Sequence, residues 1–102
     1  MPKQSLESLT ETMFYVLMAL YRSEKCGTDI AAWIEDRTNS RLSLGPATLY
    51  TILAKFEKEK FIRETKVEGR KRTYAITDQG RQAYRDELER LTRCLEDGKT
   101  VL

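Results

Sequence analysis

The stretch Leu44-Gly-Pro-Ala-Thr-Leu-Tyr-Thr-Ile-Leu-Ala-Lys-Phe-Glu-Lys-Glu-Lys-Phe-Ile62 constrains the fold of this chain more than any other. Gly45-Pro46 opens a helix, because proline at the first helical position loses no hydrogen bond and its φ is already helical. Leu49, Ile52, Leu53 and Phe56 fall within one arc of that helix. Thr48, Thr51, Lys55 and Lys58 fall on the opposite arc, so one face is buried and the other is polar. The helix is predicted to end near Lys60, with Phe61-Ile62 starting an extended segment. Residues 62–67 and 70–76 then read as two strands joined around Glu68-Gly69, a short hairpin signal.

The remaining segments read as support for this helix and hairpin. Ser8-Leu-Thr-Glu11 has capping-box spacing, which predicts a first helix from there to about Arg22. Its second half, Met13 to Tyr21, is apolar all round, so it must be covered on two sides. The expectation is that one side packs on its own domain and the other on a second subunit, since the alternative is a large exposed apolar patch. A second helix is expected from about Thr28 to Arg37, with Ile30 and Ile34 inward. Thr38-Asn39-Ser40 is a turn cluster. Leu42 and Leu44 alternate with Ser43 as a short strand would. Thr77-Asp78 is an N-cap candidate for a last helix reaching about Leu95, with Gly98 as its stop. Along that helix Tyr84, Leu88, Leu91 and Leu95 form a seam too brief to dimerise by itself.

Composition excludes several classes of function. With 102 residues the chain is one domain in size and buries only a modest core. There is no histidine, and the two cysteines, Cys26 and Cys94, lie far apart, so no zinc site is expected. Their number and spacing fit reduced thiols in a cytoplasmic protein, with a disulfide as the alternative. Met1-Pro2-Lys3-Gln4 lacks a signal-peptide h-region, and the longest apolar run, nine residues, is too short to span a bilayer. No phosphate-binding glycine loop, nucleophile–base pair or paired carboxylates stand out, so neither catalysis nor a cofactor is expected.

Net charge is only +2, so any argument for a polyanionic partner must rest on where the charges lie. From Lys55 to Arg72 eight basic residues face four acids. A helix presenting Thr48, Thr51 and Lys55 beside a Gly69-Arg70-Lys71-Arg72 hairpin tip suits the major groove and backbone of double-stranded DNA. The bland alternative is a solvated amphipathic helix and a solubilising turn. The two features standing side by side favour the groove.

The order helix, helix, helix, hairpin, helix is a winged helix-turn-helix: mainly α, with a small β-hairpin and a C-terminal helix for dimerisation. Residues 1–76 would form the DNA-binding part and 77–102 the dimerisation helix. Leu44-Gly-Pro-Ala-Thr-Leu-Tyr50, Phe61-Ile62 and Gly69-Arg-Lys-Arg-Thr-Tyr-Ala-Ile-Thr-Asp-Gln-Gly80 resemble the PadR family of bacterial transcriptional regulators in order and spacing. The resemblance spans about residues 9–95. It implies a homodimeric repressor on a pseudo-palindromic operator, often released by a small molecule. Carried onto this chain, it places Pro46, Ala47, Thr48, Tyr50, Thr51, Lys55, Gly69, Arg70, Lys71 and Arg72 at the DNA, with Tyr50 on a phosphate.

Three positions depart from the family pattern: Gly27-Thr28 stands for Gly-Tyr, Ala47 for Gly, and Trp33 occupies a place that is usually small or polar. Trp33 is open to two readings. It packs in the core or an interface, or it lines a pocket for an aromatic or hydrophobic effector with Phe14, Tyr15 and Met18. Met13, Leu17, Tyr84, Leu88, Leu91 and Leu95 are the expected dimer surface. The rivals are a winged helix used for protein–protein contact and an anti-repressor dimer without its own operator.

Overall fold

A computed structural model describes residues 9–102. At its centre lies α1 (Glu11–Leu20), in which Val16, Leu17, Ala19 and Leu20 are all but inaccessible to solvent. The elements that follow are β1 (Lys25–Cys26), α2 (Gly27–Arg37), α3 (Pro46–Lys58), β2 (Ile62–Glu68), β3 (Lys71–Ile76) and α4 (Asp78–Lys99). The three strands form one antiparallel sheet in the order β1-β3-β2. Helices α1, α2 and α3 bury Leu17, Ile30, Ile34, Leu49, Leu53 and Phe56 in a single core, which Ile62, Tyr74 and Ile76 close from the sheet. Tyr74 and Ile76 are thus core residues, as their alternation with Thr73 and Ala75 predicts.

Several expected boundaries move. Ser8, half of the expected capping box, lies outside the described residues. The cap of α1 is Thr10, whose hydroxyl accepts from the Met13 amide at 3.1 Å, and the helix ends at Leu20 rather than Arg22. Residues 42–44 form no strand; Leu42 and Leu44 pack against the core from an irregular segment. The third strand is instead Lys25–Cys26, paired with Tyr74 and Thr73. Helix α3 stops at Lys58, where Lys60 turns left-handed (φ 65°) and the Phe61 amide reaches back to the Phe56 carbonyl at 2.9 Å. Gly98 does not stop α4, which continues to Lys99. Both cysteines are free, Cys26 buried and Cys94 exposed.

The largest correction concerns α1. Met13 and Leu17, expected on a dimer surface, are buried inside their own chain at 7% and 0% exposure. The cover on the far side of α1 is α4: the Tyr84 ring stacks on Phe14 with centroids 4.9 Å apart and planes 6° from parallel. Tyr84 therefore spends its ring face on its own chain as well, half-buried there.

The start of α4 is tied to the end of the α3 segment. Thr77 caps α4 by accepting from the Gly80 amide at 3.0 Å and donates to the Lys60 carbonyl at 2.6 Å. Its amide donates to the Phe61 carbonyl at 2.9 Å. A Cβ on Gly80 would lie 2.1 Å from that same Phe61 oxygen, so only glycine allows the helix to sit this close.

Candidate nucleic-acid interface

Pro46, Ala47, Thr48, Thr51 and Lys55 are all exposed on one side of α3, while Leu49, Ile52, Leu53 and Phe56 anchor the other. Amphipathicity alone sets this rotation, because the apolar arc can face only the core. The Thr51 hydroxyl donates to the Ala47 carbonyl at 2.9 Å, which leaves its oxygen free to accept. Tyr50 is half-exposed at the flank, and its phenol lies over α2: a Cβ built on Gly27 would fall 2.5 Å from the Tyr50 hydroxyl oxygen. The phenol is therefore held against the start of α2 rather than free to sweep.

The wing is the β2–β3 ribbon. Gly69 sits at its tip with φ +64°, a turn conformation that a side chain would strain. Arg70 and Lys71 project beside it, exposed, and among the described residues neither has an ion-pair or side-chain hydrogen-bond partner. Arg72, the third cation expected at the DNA, is held differently. It lies on β3 with its guanidinium 2.8 Å from the Glu64 carboxylate, an interaction that pushes the guanidinium pKa up. Its charge is therefore half-spent on the wing itself, and at the tip Arg70 and Lys71 remain unpaired.

The four residues expected around an effector divide between two places. Met18 and Trp33 border a cavity of about 630 Å³ between α1, α2 and the start of α4, together with Tyr21 and Tyr84. Lys25 and Arg37 lie over the Trp33 ring at 5.7 and 5.8 Å, and among the described residues no acid lines this cavity. Burial lowers the Lys25 pKa, against an opposing pull from Asp29, and its ammonium donates to the Ala19 carbonyl at 2.6 Å. Phe14 and Tyr15 instead border a groove with Leu9, Leu91 and the Glu87–Arg90 ion pair, and Phe14 itself is buried. Sequence reasoning missed Tyr21, Lys25 and Arg37. They come from the end cap of α1, from β1 and from the last turn of α2, and share no spacing that a linear reading could pick out.

Of the expected dimer surface, Leu88, Leu91 and Leu95 stand exposed on the outer half of α4, at 46%, 38% and 57%. Among the described residues no helix is long and apolar enough to cross a membrane, and no cluster of ligating side chains could hold a metal.

A helix with an exposed hydroxyl-and-lysine face, followed by a cationic hairpin on a three-helix core, defines a winged helix-turn-helix. The family model of the transcriptional regulator PadR-like family matches residues 16–86, and the chain belongs to that family. It is a DNA-binding transcriptional regulator rather than an enzyme. Similar solved structures include a transcriptional regulator from Clostridium thermocellum, 27% identical, covering 84% of this chain and 89% of that one with a TM-score of 0.73. Bacillus subtilis PadR in complex with operator DNA is 26% identical, with a TM-score of 0.68, over 78% of this chain and 47% of that one. A PadR-like transcription factor from Bacteroides fragilis, 16% identical over 89% of each chain, shares the fold with a TM-score of 0.78. No curated protein matches the chain.

Proposed function

We propose that this chain is a cytoplasmic homodimeric repressor that binds a pseudo-palindromic operator through α3 and the wing. The observation that carries the reading is the exposed Thr48–Thr51–Lys55 face beside the unpaired Arg70 and Lys71. Threonine offers a hydroxyl and a methyl to base edges, lysine reaches guanine or phosphate, and the wing cations grip the backbone. The similarity to the operator-bound Bacillus subtilis PadR supports the same use of these elements. Residues 77–102 serve as the dimerisation helix, joined through Leu88, Leu91 and Leu95. Two recognition helices would then enter successive major grooves about 34 Å apart.

The test is selection of an operator from random duplex DNA, followed by gel retardation with Arg70→Ala/Lys71→Ala. We expect the double variant to lose at least tenfold in affinity and to show a shallower salt dependence, because about four phosphate contacts per dimer disappear. Selection without any enriched motif would point instead to a partner-sequestering or protein–protein role.

An effector would enter the cavity bordered by Met18, Tyr21, Trp33 and Tyr84. The cations beside Trp33 favour a planar ligand carrying negative charge over a cationic one. Tryptophan emission comes from Trp33 alone, so a screen of aromatic acids and aromatic cations should quench or shift it with acids only. A spectrum indifferent to every compound would return Trp33 to packing.

A further inference from the structure

The wing leaves the sheet at one point. Strand β1 pairs with β3 only at Tyr74 and Thr73, so the ribbon from Lys66 to Arg72 has no third strand beneath it. On β2 the register slips between Glu64 and Lys66, which leaves Thr65 as a bulge where the ribbon departs. A bulge bends and twists a strand, so it sets the direction in which the tip points. The Thr65 hydroxyl donates at 2.8 Å to Glu24, in the connector between α1 and β1, with the Thr73 carbonyl a further 3.3 Å acceptor. Strands β1 and β2 are not neighbours, so this hydrogen bond crosses β3 and straps all three strands together.

We propose that Glu24 and Thr65 are positioning residues for operator binding: their hydrogen bond fixes the angle of the wing and so aims Arg70 and Lys71 at the DNA backbone. The inference rests on the DNA-binding reading above. A carboxylate this close to a cationic wing is otherwise unfavourable for a protein that binds phosphates, and its use as an acceptor accounts for it. The neighbours of Glu24 extend the argument. Tyr21, Arg22 and Ser23 border the Trp33 cavity, so the four-residue connector that they form with Glu24 touches that cavity and the wing together.

Comparison of Glu24→Ala with Glu24→Gln tests the proposal, because both remove the charge and only glutamine keeps an acceptor. Against the selected operator, E24Q should bind at least as tightly as the wild type. E24A should bind about fivefold more weakly than E24Q, with a salt slope shallower by about one to two, while its thermal midpoint stays within a degree or two of E24Q. Thr65→Val should match E24A, and Thr65→Ser should restore binding. Amide hydrogen exchange on the free protein supplies a readout independent of DNA: residues 66–72 should exchange faster in E24A than in E24Q. Equal affinity, equal slope and equal exchange in E24A and E24Q would overturn the proposal. Faster wing exchange in E24A with no operator bound by the wild type would overturn the DNA-binding reading while leaving the strap intact.

Discussion

Helices α1 and α4 both present apolar side chains, yet they use them in opposite ways. Helix α1 is greasy on every side, and its own chain covers it almost completely. Helix α4 is polar along most of its length, and its leucines at 88, 91 and 95 remain uncovered. Hydrophobicity all round marks the central helix that others wrap, even in a chain of this size. A lone apolar stripe on a charged helix, left open by the rest of the fold, is the surface that calls for a partner.

Breaking each helix separately sharpens this contrast. The largest effect should come from Leu17→Ala, which opens a cavity in a fully buried site and should cost about 2–5 kcal/mol in denaturant unfolding. If Leu17 instead faced a second subunit, the variant would lose dimer and keep its monomer stability. Next, Leu88→Lys/Leu91→Lys/Leu95→Lys should give monomers at micromolar concentration in analytical ultracentrifugation, with helical circular dichroism retained. A dimer that survives the triple change would move the interface elsewhere. The smallest effect is expected at the root of α4: Thr77→Ala removes the cap and the bond to Lys60, lowering stability by about 1–2 kcal/mol without altering self-association.

The legible parts of this chain were those encoded by local chemistry. Pro46 announced α3, the four apolar positions fixed its rotation, and Gly69 marked the turn where the positive φ occurs. Thr77 announced α4 for the same reason. The strand Lys25–Cys26 was not legible, because two residues show no alternation and their pairing with Tyr74 and Thr73 is purely tertiary. The strand expected at residues 42–44 failed because alternating leucines can also pack from an irregular segment.

Misplacement of Met13 and Leu17 had a different origin. Periodicity shows that a helix must be covered but does not name the cover, and Tyr84 looked like part of a leucine seam rather than a lid on Phe14. At the wing, the sequence placed Arg70, Lys71 and Arg72 together at the DNA without showing that Arg72 is paired. The pairing of Arg72 with Glu64 emerges only from the strand register, which places Glu64 opposite Tyr74, two residues along β3 from Arg72. Glu24 was invisible for the same reason, since its partner Thr65 is distant in sequence and the bulge has no sequence signature here.

The junction at Lys60, Phe61, Thr77 and Gly80 has a mechanical consequence. Two hydrogen bonds from Thr77, to the Lys60 and Phe61 carbonyls, and a close backbone approach at Gly80 fasten the root of α4 to the segment between α3 and β2. Helix α4 has 22 residues, so it is a rod roughly 33 Å long whose far end carries the free leucines. Pivoting such a rod by ~5° at its distal end swings its root through ~3 Å, about the rise of one base pair. In the proposed dimer, a small change in how two such rods cross would therefore reach the DNA-binding face magnified, with no rearrangement inside either head.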